Sequence, residues 1–149
     1  MPYARKDAYV RLVLDTNIVV SGIFWRNHPR RLLDLAQAGS VYLYTSSALL
    51  AELADVLSRK KWDAMLVAKQ TTPLFLMQRY GGLAKRVVPA TVARVVLNDA
   101  DDDEVLACAL AASADLIVSG DKHLLSLGGQ YKGIRIVTPA EAVRIVEEG

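Results

Sequence analysis

The chain of 149 residues contains one cysteine, Cys108, and two histidines, His28 and His123. A single cysteine excludes an internal disulfide and any cysteine-rich zinc site. Cys108 lies in the apolar stretch LACALAA and reads as a small buried hydrophobe rather than a nucleophile. No apolar run approaches the roughly 18 residues of a membrane helix. The opening MPYARKDAYV has early charges but no long apolar stretch behind them, which argues against a signal peptide. Internal repeats, linkers and low-complexity segments are absent. These absences leave a cytoplasmic protein with no membrane partner as the expectation. Excess charge is also lacking: a net charge of +2 is too small to argue nucleic-acid binding by itself.

What is present is a large apolar fraction, 52% of residues, which is enough for a real core and excludes disorder. The length suits one domain over residues 1–149. Charge is unevenly spread. Arg5, Lys6, Arg11, Arg26, Arg30 and Arg31 face only Asp7 and Asp15 in the first 31 residues, whereas Asp99, Asp101, Asp102, Asp103 and Glu104 crowd together later. Either set can be ordinary solvated charge; together, a basic surface beside an acidic pocket suits a polyanion held at a metal site.

Strand-like and helix-like patterns alternate. Strands are expected at about Val10–Leu14, Val41–Tyr44, Arg86–Val88, Leu116–Val118 and Ile134–Val137. Helices are expected from Pro29 to Gly39, from Ser46 or Ser47 to about Lys60, in two pieces between Asp63 and Tyr80 ended by Gly81-Gly82, and from about Asp102 to Ser113. A short one at His123–Leu127 and a last one capped by Thr138 and Pro139 complete the set. Short strands alternating with helices mean parallel β-α units, hence a three-layer α/β/α domain.

Asp15 ends the apolar run Leu12-Val13-Leu14, and Asp121 follows Leu116-Ile117-Val118. In open α/β sheets, ligands bind beyond the carboxyl ends of the strands, where the strand order reverses. Two further carboxylates stand on unexpected faces. Glu52 borders the helical stripe Leu49, Leu50, Leu53, Val56 and Leu57, either as a rim residue whose head snorkels or as a functional group. Asp103 shares a helical face with Leu106, Ala107 and Leu110, while Asp101 and Glu104 resemble a capping box. An aspartate on a buried stripe needs a partner, and no lysine or arginine occurs between Asp99 and Ala114. Two carboxylates 4 Å apart repel by roughly 4 kcal/mol at an effective dielectric of 20, so four together call for a counterion or raised pKa values. With only oxygen donors, that ion is Mg²⁺ or Mn²⁺ rather than zinc.

Four motifs in order, LDTN at Leu14–Asn17, SSALLAEL at Ser46–Leu53, DDDEVLACAL at Asp101–Leu110 and VSGDKHLL at Val118–Leu125, resemble the PIN domain family of metal-dependent nucleases over nearly the whole chain. The closest likeness is to its bacterial and archaeal toxin–antitoxin branch. The resemblance implies a five-stranded parallel sheet of order 3-2-1-4-5. It maps the acidic positions onto Asp15, Glu52, Asp103 and Asp121, with Asp99, Asp101 and Asp102 as adjacent candidates for the third. Thr16, Asn17 and Ser119 become orienting residues. It implies Mg²⁺ or Mn²⁺ held by Asp15, Asp121 and Asp103, with Glu52 holding the attacking water or acting as general base, and an RNA substrate. It also implies a small cognate antitoxin and a homodimer or higher oligomer. Arg26, Arg30, Arg31 and Lys122 are candidate phosphate contacts. Trp25 is either a base-stacking or an interface residue. His28 and His123 read as surface or capping residues, Trp62, Phe75, Met77 and Tyr80 as packing residues, and Asp115 as lying at the opposite end of its strand.

Overall fold

The computed structural model describes residues 9–90 and 100–148; the side chains of residues 100–102 and 123 are not included. Asp99, Arg5 and Lys6, and the side chains of Asp101, Asp102 and His123, therefore lie outside the described residues. In chain order the elements are β1 (Arg11–Leu14), α1 (Thr16–Phe24), α2 (His28–Gln37), β2 (Tyr42–Thr45), α3 (Ser47–Leu57), a 3-10 turn (Lys60–Trp62), α4 (Asp63–Ala68), α5 (Pro73–Leu83), β3 (Lys85–Arg86), α6 (Ala100–Ala112), β4 (Leu116–Val118), α7 (Lys122–Leu125), β5 (Gln130–Tyr131), β6 (Ile134–Val137) and α8 (Pro139–Glu148). Among the described residues, no helix is long and apolar enough to cross a membrane.

The sheet order is β3-β2-β1-β4-β6-β5. Its five parallel strands run in the order expected from the resemblance, so β1 and β4 are neighbours, with Leu14 opposite Val118. The sheet has six strands rather than five, because β5 adds an antiparallel edge to β6. The two are joined by Lys132-Gly133, both at positive φ (49° and 85°), as a two-residue type I′ hairpin requires. Lysine at the first of those positions is not the usual asparagine or aspartate, so the turn carries little sequence signal.

Successive strand residues point to opposite faces, and both faces are covered. Leu12, Leu14, Leu43, Leu116 and Val118 enter one core with residues of α1, α2, α3, α4 and α8. Val13, Tyr44, Ile117 and Ile136 enter the other with α6 and Leu124 of α7. Burial on both sides is why these strands read as continuous apolar runs rather than alternating ones.

Helix α1 is missing from the sequence expectation, which has nothing helical before Pro29. Its sequence, TNIVVSGIF, is rich in β-branched residues and buries Thr16, Ile18, Val19, Val20, Gly22 and Phe24. With apolar residues on most of its circumference, it has no amphipathic period to read. Gly22 permits close packing of α1 on α2: a Cβ there would meet Leu33 Cδ1 at 2.9 Å and the Pro29 backbone at 3.0 Å. Gly39 stops α2 as expected, at φ 78°. Gly81 and Gly82, by contrast, do not end their helix; α5 continues through them to Leu83.

Candidate active site

Asp15 leaves β1 and begins α1. Its backbone N–H donates to the Val118 carbonyl at 3.0 Å, extending the β1–β4 ladder by one residue. Its side chain then caps the helix, with Oδ1 accepting from the Asn17 N–H at 3.3 Å. Oδ2 accepts from the Ser119 hydroxyl at 2.8 Å. Ser119 is fully buried, and its Oγ in turn accepts from the Asp121 N–H at 2.9 Å. One hydroxyl thus couples the first carboxylate to the backbone of the second. Asp15 is 7% exposed, and Asp121 is half-buried. Both Asp15 oxygens are hard donors of the kind a divalent cation takes.

The next residue extends the constellation. The buried Thr16 hydroxyl donates to Glu52 Oε1. Glu52 comes from α3, whose start is set by Ser46: the Ser46 Oγ accepts from the Leu49 N–H at 3.3 Å. The expected stripe Leu49, Leu50, Leu53, Val56 and Leu57 is buried, and Glu52 at its border is half-buried. Sequence reading gave Ser46 only a capping role. Being fully buried at the end of β2, it also anchors the helix that presents Glu52.

The first turn of α6 is less selective than its pattern suggests. Leu106 and Ala107 are buried as expected, but so are Val105, Cys108, Ala109 and Ala112. Leu110 is only half-buried, and Asp103 and Glu104 are both half-buried. Burial around most of the helix means that phase alone does not separate Asp103 from Glu104. Burial, followed by the charge of Glu104, pushes the Cys108 thiol up to about 12, which leaves it protonated and inert near neutral pH.

Asn17 is exposed and enters through its backbone N–H. Lys122 is exposed directly after Asp121. Arg26, Arg30 and Arg31 are separated from Asp15 by the nine residues of α1, about 14 Å of helix at 1.5 Å per residue. Arg30 pairs with Asp34 at 3.4 Å. Arg31 pairs with Glu147 of α8 at 2.8 Å, and the hydrogen bond raises the arginine pKa and lowers that of the glutamate. His28 is exposed at the start of α2. Trp25 is 48% exposed and touches Phe24 and Trp62 edge-on at 6.0 and 5.8 Å. Trp62 stacks on Phe24 at 4.8 Å, in keeping with a packing role. Asp115 lies at the opposite strand ends, where its Oδ2 accepts from the Arg11 N–H at 2.8 Å.

The gathered side chains offer oxygen donors only, which fits a hard divalent cation. Among the described residues, however, no three histidine, cysteine, aspartate or glutamate side chains form a group that could hold a metal ion. The case for a cation therefore rests on donor chemistry and on the Asp15–Ser119–Asp121 coupling.

Comparison with known proteins agrees with this architecture. An uncharacterized protein of Methanocaldococcus jannaschii is 27% identical over 128 residues, covering 85% of this chain and 81% of its own. No solved structure matches. The PIN domain profile matches residues 11–123, more than half of the chain, running from β1 past Asp121. By its sheet order, its strand-end aspartates and this match, the chain belongs to the PIN domain family and has a nuclease-type fold.

Proposed function

We propose that the protein is a single-domain, Mg²⁺- or Mn²⁺-dependent endoribonuclease that hydrolyses RNA phosphodiester bonds. The observation that carries this reading is the coupling of Asp15 to Asp121 through Ser119, beside the Thr16–Glu52 pair, at the carboxyl ends of β1 and β4. Asp15 and Asp121 would hold the cation; Asp103, which does not close a group of three with them among the described residues, is proposed as a third oxygen donor on the motif resemblance. A bound divalent ion supplies Lewis acidity and lowers the pKa of water. Glu52 holds the attacking water or takes its proton, and Thr16 orients the Glu52 carboxylate for that transfer. Ser119 orients Asp15, and the Asn17 N–H holds its other oxygen. Lys122 stands nearest in sequence to the carboxylates as a phosphate contact, while Arg30 and Arg31 must first leave Asp34 and Glu147. The test is cleavage of a panel of RNAs with and without Mn²⁺. Metal-dependent cleavage that Asp121→Asn abolishes is expected; intact cleavage by that variant sinks the reading.

A second reading, a PIN fold that binds RNA or protein without turnover, is favoured by one observation: no metal-holding group of three such side chains closes among the described residues. Calorimetry separates the two. Mn²⁺ binding that Asp15→Asn removes supports the nuclease, and no Mn²⁺ binding supports the binding module.

On the motif resemblance we further propose that this is the toxin of a toxin–antitoxin pair, acting in the cytoplasm as a homodimer or higher oligomer and neutralised by a small antitoxin. A cleft of about 430 Å³ among α1, α2 and α5, whose lining includes Ile23, Leu33, Leu76 and Arg79, is a surface such a partner would use. Growth arrest on expression, absent with Asp15→Asn, is the expected outcome; unimpaired growth with wild-type protein sinks the toxin role.

A further inference from the structure

Away from the carboxylates, β2, β3 and Tyr9, which precedes β1, bring rings and cations close together. Tyr9, 45% exposed, meets the half-buried Tyr42 edge-on at 5.3 Å between ring centroids. Lys85 Nζ sits over the Tyr42 ring at 4.1 Å from its centroid. Lys85 and Arg86, the two residues of β3, are both exposed. Tyr42 faces the same side of the sheet as Tyr44 and is packed at the margin of the α6-side core.

We infer that Tyr9, Tyr42, Lys85 and Arg86 form a platform for single-stranded RNA leading along the β2–β3 edge to the carboxylates. This rests on the ribonuclease reading and extends it to how substrate is held. Single strands are held by aromatic rings that stack on bases and by cations that track the phosphates, and this edge has both. Tyr9 presents the exposed ring. Tyr42, covered by Lys85, positions that ammonium through a cation–π contact and backs Tyr9 from the side. The β2 chain runs from Tyr42 to Thr45, about 10 Å at 3.3 Å per residue, and ends beside Ser46, the cap of the helix that carries Glu52. Tyr42 is in register with Arg11 at the amino ends of the strands, so a strand gripped at Tyr9 would run the length of β2 to reach the Thr16–Glu52 pair. The competing role for Lys85 is protection of an edge strand against pairing with another chain, and that role predicts no effect on RNA.

The test is fluorescence anisotropy of a labelled single-stranded RNA with the full chain carrying Asp15→Asn, in EDTA, over a series of salt concentrations. Tyr9→Ala is expected to weaken binding about tenfold, and Tyr9→Phe to retain it. Lys85→Ala is expected to reduce the slope of log K against log salt by about 0.7, one phosphate contact on a single strand, and Lys85→Arg to restore it. Both positions are exposed, so unchanged melting curves are expected to accompany these effects. Binding by Tyr9→Ala and Lys85→Ala equal to the parent overturns the platform, as does a parent that binds no RNA. A change of oligomeric state with RNA binding unchanged overturns it in favour of a protein interface. Cleavage by wild-type protein is measured separately: RNA bound through this edge but never cut fails the nuclease reading and leaves the platform standing.

Discussion

Asp15 and Asp121 leave neighbouring strands, whereas Glu52 and Asp103 are carried by helices. The strand pair is located by the sheet itself. The Asp15 N–H bonds to the Val118 carbonyl and the Ser119 N–H to the Val137 carbonyl, each at 3.0 Å. A slip of one residue would send buried side chains to the opposite face. The helix-borne acids depend on how each helix is capped, rotated and packed. Glu52 is placed by the Ser46 cap and tied by Thr16. Asp103 stands on a helix buried around most of its circumference, with Glu104 equally half-buried beside it. Backbone pairing therefore specifies one half of the candidate site, and side-chain packing specifies the other.

That contrast is open to test, most sharply at its strong end. Asp15→Asn and Asp121→Asn are each expected to lower RNA cleavage by more than about 100-fold, beyond the usual effect of orienting residues, with folded structure retained by circular dichroism. An equal loss from Glu52→Gln would erase the distinction between the halves.

Ser119→Ala removes the hydroxyl that joins the strand pair. A loss of about 10- to 100-fold in Mn²⁺ affinity is expected, together with about 1–3 kcal/mol of stability in urea denaturation, because the Asp121 N–H and Asp15 Oδ2 lose a buried partner. Unchanged Mn²⁺ affinity would reduce the bridge to a structural contact.

Asp103→Asn compared with Glu104→Gln sharpens the helical half. About a tenfold fall in cleavage is expected for Asp103 and no change for Glu104. The reverse order would move the third acid by one residue around the helix. Thr16→Val should give the smallest effect, about 0.5–1.5 kcal/mol of stability for a lost hydrogen bond and a fall in kcat with KM unchanged. A rise in KM alone would place Thr16 in substrate binding instead.

Much of this was legible before any coordinates. Apolar runs marked the central strands because both faces of the sheet are covered, and Gly39 marked the end of α2 because only a residue tolerant of positive φ ends a helix there cheaply. Asp15 and Asp121 were legible for a similar reason, since the polar residue just past a buried run marks a strand end. Elements without a period or a turn signature were not legible. Helix α1 is buried nearly all round, the β5–β6 hairpin turns on Lys132-Gly133, and α5 runs through two glycines held by their helical neighbours.

By itself the sequence determined the alternation of strands and helices, the order of the motifs and the supply of carboxylates, because these follow from local apolar patterning and residue chemistry. The tertiary structure decided what they touch: the Ser119 hydroxyl between Asp15 and Asp121, the Thr16 bond to Glu52, and the pairing of Arg31 with Glu147 across α2 and α8. Those contacts join residues 104, 36 and 116 positions apart. No local pattern encodes them, because the sheet order and helix packing that close such distances are properties of the whole fold.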